Sequence, residues 1–134
     1  MEIKLRGRVA NKGKAQGEAL TSYNPFSFLQ AETSTGIVYQ PGHEFHGQSI
    51  KDKILIYPTG CGPAGYHLFL MKNSIAAPKA IINMELFYQQ VGDALSAEIP
   101  MMYGFNLNLF DIIQTGDWVI VNADEGIITV QKRS

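Results

Sequence analysis

Three short apolar segments, separated by two stretches of helical character, constrain the fold of this chain most. Residues 53–57 (KILIY), 80–84 (AIINM) and 100–103 (PMMY) are continuously apolar, which is typical of strands covered on both faces. Residues 65–75 and 85–95 have helical character, and the first stretch is apolar almost all round, so we expect that helix to be largely buried. Because parallel strands need right-handed crossovers, the helices should pack on the faces of a sheet.

Both ends of the chain are strand-rich. Apolar and basic side chains alternate over residues 3–9, and a turn at Lys12-Gly13 leads into a second strand over residues 15–20. Residues 118–121 and 127–130 flank the sequence ADEG, which predicts a hairpin with glycine in the left-handed position and a solvated Asp124-Glu125 tip. The predicted fold class is therefore α/β, with a mixed sheet, helices packed on its faces and antiparallel strands from both termini.

Length and composition exclude several classes of protein. A chain of 134 residues fits one domain over residues 1–134, and 46% hydrophobic with 17% charged residues is typical of a globular protein. A net charge of −1 disfavours nucleic acid as a partner. No apolar run approaches the roughly 20 residues of a membrane span, and no signal-like segment opens the chain. We therefore expect a cytoplasmic protein without a membrane partner.

Two features of charge and cysteine content bear on partners. Residues 1–14 carry five basic residues against Glu2, a net charge of +4. This segment is either a solvated pair of polar strand faces or a basic patch for an anionic substrate or an acidic partner surface. The single cysteine, Cys61, leaves no internal disulfide and no four-cysteine metal or cluster site within this chain.

A glycine-rich loop, residues 58–65 (PTGCGPAG), lies between an apolar strand and the first predicted helix. Backbone N–H groups and the helix dipole favour an anion there, although the glycines could equally serve only a tight turn. Gly60, Gly62 and Gly65 with Glu85 match the dinucleotide-binding pattern. We reject that interpretation because about 50 residues precede the unit, whereas a dinucleotide fold normally begins with it. A P-loop is excluded because no Lys-Ser/Thr pair follows the glycines.

Two further motifs could carry chemistry. Cys61 precedes a predicted helix start, which would lower its pKa, so a nucleophilic pair with His67 is an alternative to a small residue in a crowded turn. Residues 43–46 (HEFH) are one residue short of the zinc motif H-E-x-x-H and lie between Gly42 and Gly47 rather than in a helix. We therefore interpret that segment as a polar loop.

Several segments, in order along nearly the whole chain, together resemble the small subunit, or swivel domain, of the aconitase X family. No single segment is specific, but the series is. They are Gly13-Lys14-Ala15, Gly17-Glu18-Ala19-Leu20, Ser27-Phe28, Thr35-Gly36, His43 with Gly47-Gln48-Ser49-Ile50, Lys53-Ile54-Leu55 leading into Gly60-x-Gly62, Ala77-Pro78-Lys79-Ala80-Ile81-Ile82, Ile99-Pro100, and Gly116-Asp117-x-Val119-x-Val121 with Gly126-Ile127.

The resemblance implies a swivelling β/β/α fold like the mobile domain of aconitase, and it implies a partner. In two-subunit members a large subunit holds iron or an iron–sulfur cluster and most of the substrate, and the small subunit closes over that site. Members remove water from cis-3-hydroxyproline or from mevalonate 5-phosphate. The implied cofactor therefore belongs to the partner and not to this chain, and the implied ligand is a small anionic substrate.

The same resemblance directs attention to the glycine loop. In the family a serine in a Gly-Arg-Gly-Ser pattern is the proposed proton acceptor, but here Cys61 stands at the arginine position and Pro63 at the serine position. Alternative proton acceptors are Cys61, Thr59, Tyr66 and His67. We expect an open, polar face around residues 26–28 and 59–67. The predicted substrate-binding residues are Ser27, Gly60, Cys61, Gly62, Pro63, Ala64 and Gly65.

Two other functions stay open at this point. A swivel domain without the serine could be a non-catalytic binding or regulatory subunit. The same architecture also carries phosphohistidine in phosphotransfer proteins, and His67 follows the glycine loop, although the usual Thr-Ser-His arrangement is absent.

Overall fold

The computed structural model describes residues 1–62, 64 and 66–133. Within these described residues, eight strands and two helices, α1 and α2, follow one another with two short 3-10 turns at Phe28–Gln30 and Leu109–Asp111. No helix in the described ranges is long and apolar enough to cross a membrane. The elements are β1 (Glu2–Arg6), β2 (Arg8–Asn11), β3 (Lys14–Thr21), β4 (Ile54–Tyr57), α1 (His67–Asn73), β5 (Ala80–Asn83), α2 (Tyr88–Ala97), β6 (Met101–Tyr103), β7 (Trp118–Asn122) and β8 (Ile127–Gln131).

The strands form one mixed sheet in the order β1-β8-β7-β3-β4-β5-β6-β2. Strands β3, β4, β5 and β6 run parallel, with Tyr57 opposite Asn83, and the other pairs are antiparallel. Helices α1 and α2 belong to the crossovers between the parallel strands. The predicted α/β class, with terminal antiparallel strands around a parallel centre, is confirmed.

The sheet curls until its two edges meet. Strands β1 and β2 lie at opposite ends of the strand order, yet only Gly7 separates them in the chain. Gly7 donates its N–H to Gly126 O at 3.0 Å. The ring of Phe105 covers Gly7 so closely that a Cβ there would lie 2.6 Å from the ring. A side chain at this junction would therefore have to displace the Phe105 ring.

The two faces of the curled sheet carry two hydrophobic clusters. Ile54 and Ile56 point into the cluster enclosed by the sheet, whereas Leu55 and Tyr57 point into the cluster beneath the helices. Successive strand residues point to opposite faces, so a strand between two clusters must be apolar at every position. All four of these side chains are completely buried, which confirms the interpretation of the apolar run.

Helix α1 is shorter and more exposed than its sequence indicated. It buries Leu68 and Met71, while Phe69 and Leu70 are 42% and 46% exposed. The expectation of a largely buried helix is wrong. The helix has seven residues, and its inner face joins the cluster beneath the helices while it packs beside α2 and the 3-10 turn at residues 28–30. Its outer face is left in solvent.

Candidate functional site

The loops that follow the four parallel strands are hydrogen-bonded to one another in a row, which we call the carboxyl edge. Phe26 N–H donates to Thr59 O at 3.2 Å, joining the loop after β3 to the loop after β4. Met84 N–H donates to Pro58 O at 3.0 Å, and Gly104 N–H donates to Met84 O at 3.1 Å. In open and in barrel-like α/β proteins alike, ligands bind beyond the carboxyl ends of the parallel strands.

An open groove of about 420 Å³ lies at the carboxyl edge beside the glycine loop, and we call it the Cys61 groove. The exposed thiol of Cys61 forms part of its wall. The remaining walls come from the loops before and after the 3-10 turn at residues 28–30. They are Asn24, Pro25, Gln40, Pro41, Gly42 and His43.

The thiol of Cys61 is not activated. Partial burial raises its pKa, so the expectation of a lowered pKa is wrong. The physical reason is that α1 begins only at His67 and is two turns long, so its dipole does not act at Cys61. At neutral pH Cys61 is therefore a weak hydrogen-bond donor rather than a thiolate.

Gly60 packs directly against the side chain of Gln90 in α2. A Cβ at Gly60 would lie 2.4 Å from Cδ of Gln90, so any side chain at this position would have to displace Gln90 or the loop. Gln90 accepts the hydroxyl proton of Tyr57 at 2.6 Å and donates to Phe26 O at 2.8 Å. All of these side chains are completely buried, and burial raises the pKa of the Tyr57 phenol far above its ordinary value, which keeps it a donor. Gly60 is thus a packing position that fixes the loop on α2.

The rest of the glycine loop turns outward. Gly62 has a φ of 66° with nothing within 4 Å of its would-be Cβ, so it faces open space in the left-handed region. Ala64 is buried in the cluster beneath the helices. Pro63 and Gly65 lie outside the described residues. Substrate binding by Gly60, Cys61, Gly62, Pro63, Ala64 and Gly65 stays a prediction.

Ser27 occupies a structural position. It is 6% exposed, and its hydroxyl oxygen accepts the N–H of Leu29 at 3.3 Å, capping the 3-10 turn. Phe26 and Phe28 on either side are completely buried. An open face at residues 26–28 is therefore not present, and the residues just before them, Tyr23, Asn24 and Pro25, are exposed instead. A role for Ser27 toward substrate stays a prediction.

Residues 43–46 form a network of hydrogen bonds beside the Cys61 groove. Phe45 N–H donates to Nδ1 of His43 at 3.0 Å, which leaves the ring proton on Nε2, 3.3 Å from the Ser22 hydroxyl oxygen. Ser22 in turn donates to Glu44 Oε1 at 2.7 Å, and this hydrogen bond lowers the pKa of Glu44. The hydroxyl proton points to the carboxylate and not to the imidazole, so this arrangement does not activate Ser22 as a nucleophile.

The other candidate proton acceptors are spread along the loop. Thr59 and His67 are half-buried, and Tyr66 is 79% exposed at the start of α1. Within the described chain no hydrogen bond joins Cys61 to His67, so the nucleophilic pair stays a prediction. The described residues contain no group of three or more His, Cys, Asp and Glu side chains that could hold a metal ion.

Sequence reasoning missed three polar residues that shape the site. Ser22 donates to Glu44 beside the Cys61 groove, and Gln90 donates to Phe26 O. Asn83, at the end of β5, is completely buried, and its Nδ2 donates to Tyr57 O at 3.1 Å. The available signal was an amide side chain within an otherwise apolar segment, as at Asn83 in AIINM. Buried amides need hydrogen-bond partners and therefore mark a fixed polar contact.

Comparisons with known proteins agree with this architecture. The profile of a family described as "Aconitase X swivel domain" matches residues 4–130. The phosphomevalonate dehydratase small subunit of Methanosarcina mazei is 38% identical, over 98% of this chain and 93% of that protein. The protein of the same name from Thermococcus gammatolerans is 40% identical, over 96% and 98%. The crystal structure of Thermococcus kodakaraensis aconitase X in its holo form superposes with a TM-score of 0.90 at 37% identity, covering 97% of this chain and 99% of that one.

Proposed function

This chain belongs to the aconitase X swivel-domain family, and from that membership we propose that it is the small subunit of a two-subunit hydro-lyase. The observation that carries the proposal is similarity over the full length. At 37% identity and a TM-score of 0.90, the fold of an aconitase X chain is retained from end to end. The match also covers 93% and 98% of the length of two curated relatives, which supports a function like theirs.

The proposed reaction is removal of water from a small phosphorylated hydroxy acid, mevalonate 5-phosphate. Two relatives that match at 38% and 40% identity are named phosphomevalonate dehydratase small subunits. A hydro-lyase takes a proton from a carbon while the neighbouring hydroxyl leaves, so the site needs a proton acceptor and a group that stabilises the departing oxygen. cis-3-Hydroxyproline is the alternative substrate class within the same family.

The carboxyl edge has the character of a surface that another subunit covers. Three exposed tyrosines follow β3, β4 and β5 at this edge. They are Tyr23, Tyr66 and Tyr88, which are 72%, 79% and 82% exposed. Tyrosine is enriched in protein–protein interfaces, because its ring supplies contact area and its hydroxyl a hydrogen bond. We assign this edge to the large subunit, with the Cys61 groove facing the substrate.

The residues of this chain have a covering and orienting role in the proposed reaction. Closing the Cys61 groove over a bound substrate excludes water and strengthens the electrostatic interactions inside the site. The thiol of Cys61, whose pKa is raised, can donate a hydrogen bond to an anionic substrate at neutral pH. Pro63, at the position of the family serine, has no proton to exchange.

We assign the metal of the proposed enzyme, iron or an iron–sulfur cluster, to the large subunit. Iron–sulfur clusters are held mainly by cysteine thiolates, and this chain has a single cysteine whose thiol is not activated. The described side chains do not form a donor set for a metal, so we place none of the metal's chemistry on this chain.

Reconstitution with the large subunit tests the proposal. We expect the two chains to form a stable complex that dehydrates mevalonate 5-phosphate, with cis-3-hydroxyproline as the comparison substrate and each chain alone inactive. The single cysteine gives a second measurement, because iodoacetamide should alkylate Cys61 in the free chain and more slowly in the complex.

The possible results separate the alternatives. A complex without turnover of either substrate would favour a regulatory subunit, and the absence of any complex would contradict the proposal. Cys61→Ala is the matched variant for the groove, because it removes the thiol without adding volume. A higher KM for Cys61→Ala would place the groove at the substrate, whereas unchanged kinetics would remove the thiol from the reaction.

A further inference from the structure

The proposed function leaves the basic segment at the start of the chain without a role. Around the junction of β1 and β2 lies a second open groove of about 420 Å³, lined by Lys4, Arg6, Arg8, Gly104 and Asn106 among others. We call it the basic groove. We propose that it docks an acidic surface of the large subunit. The inference rests on the proposed function, because it requires that subunit to exist.

The fold fixes the three cations of the basic groove on the outside of the sheet. Leu5 is buried in the enclosed cluster, so its neighbours Lys4 and Arg6 must point outward. Gly7, which lies against the Phe105 ring, joins β1 directly to β2. The stem of Arg8 then lies across Gly104, where a Cβ would come within 3.3 Å of it.

These cations have no carboxylate partner within the described chain. The ion pairs found there are Lys53–Glu18, Lys79–Asp52 and Lys132–Asp117, none of which involves the basic groove. Arg6 reaches only the carbonyl oxygen of Glu125, at 3.4 Å. Three unpaired cations at one place, in a chain whose net charge is −1, create a local positive potential that favours contact with an anionic surface.

The position of the basic groove links it to the candidate site. Gly104 in its wall donates to Met84 O, and Met84 donates to Pro58 O at the root of the glycine loop. The basic groove and the Cys61 groove therefore lie along the same carboxyl edge. A subunit that covers the Cys61 groove and extends along this edge meets the three cations.

The form of the basic groove favours a protein surface over a small anion. Lys4, Arg6, Arg8 and Asn106 are all exposed, whereas the Cys61 groove, which is equally open, has the buried His43 in its wall. Small-molecule sites normally bury most of their ligand and hold it with a few fixed polar groups. Exposed cations around an open surface instead steer and orient a protein partner of opposite charge.

Charge reversal tests the inference. We compare Arg6→Glu/Arg8→Glu with the control Lys12→Glu/Lys51→Glu, which makes the same change of charge at exposed residues away from the groove. For the groove variant we expect binding of the large subunit to weaken by about tenfold or more at about 50 mM salt, and by much less at about 500 mM, because salt screens exposed charges. The control should bind within about twofold of the unchanged chain. The turnover at saturating large subunit should stay unchanged.

Three results would overturn the inference. The first is equal weakening by both variants, or by neither. The second is an unchanged Kd for the large subunit together with a raised KM for the substrate, which would make the groove a small-anion site. The third is an unchanged chain that does not bind the large subunit at all, and this result alone also contradicts the proposed function. Arg6→Gln/Arg8→Gln, expected to give a smaller loss in the same direction, keeps the test valid if the charge reversal unfolds the chain.

Discussion

Replacing Gly60 with alanine should destabilise the chain through one identifiable contact. The added methyl would lie 2.4 Å from Cδ of Gln90, whereas carbon atoms pack at roughly 3.5–4.0 Å, so Gln90 or the loop must move by about 1 Å. Either movement disturbs the hydrogen bonds of Gln90 to Tyr57 and to Phe26 O, at 2.6 and 2.8 Å. Overpacking costs about 1–3 kcal/mol and a buried polar group left unpaired about 1–3 kcal/mol. We therefore expect a loss of about 2–5 kcal/mol in the free energy of unfolding.

A double-mutant cycle separates this contact from a general effect of alanine in the loop. Gln90→Ala alone should cost about 2–3 kcal/mol, because the Tyr57 hydroxyl loses its acceptor. With the Gln90 side chain absent, Gly60→Ala has room, and its cost should fall below about 1 kcal/mol, a coupling of about 2 kcal/mol. Urea unfolding followed by circular dichroism measures each value from the shift of the midpoint at constant slope. Additive losses, within about 0.5 kcal/mol, would refute the reasoning.

Three further predictions concern other parts of the chain. Gly92 lies inside α2 with open space around its would-be Cβ, so Gly92→Ala should stabilise the chain by about 0.5–1 kcal/mol in the same urea assay. Burial acts to raise the pKa of Asp117, but hydrogen bonds from Arg133 N–H, Lys132 and Gln114 N–H outweigh it and hold the pKa below its ordinary value. The contribution of Asp117 to stability is present above the pKa of about 4 that it has in the unfolded chain, and it is lost as the pH falls through the folded pKa. The free energy of unfolding should therefore decrease below about pH 4, and Asp117→Asn should make this decrease smaller. Because burial raises the pKa of Cys61, its alkylation by iodoacetamide at neutral pH should be slower than that of an unburied cysteine, and its rate should level off only at a higher pH than for that cysteine.

The order of strands and helices could be read from the sequence with little error. Residues 54–57 and 80–83 form buried strands where the apolar runs predicted them, and Gly126 has the left-handed φ of 74° expected in the hairpin. Such local patterns determine elements because backbone conformation and alternation of burial depend on neighbouring residues. The length and burial of α1 could not be predicted in this way, because no described part of the chain covers its outer face, where Phe69 and Leu70 lie.

The candidate site depended more on contacts between distant segments. Cys61 and Gly62 were correctly placed in an exposed loop, but the wall that Asn24, Gln40 and His43 contribute to the Cys61 groove comes from chain segments about 20–40 residues earlier, which no local pattern brings together. The pKa of Cys61 shifted against expectation because burial, a property of the folded surroundings, outweighed the dipole of a short helix.

The amino-acid sequence by itself determined the family, the α/β class, the glycine loop and the basic character of the first residues, because each of these depends on residue identity and spacing. Only the tertiary structure decided that Gln90 fills the space that a side chain at Gly60 would need. It also decided that Ser27 caps a turn, and that the basic groove lies on the same edge as the Cys61 groove. The physical reason is that the loops after β4, β5 and β6 become neighbours only when the strands pair and the sheet curls, so the edge they share exists only in the folded chain.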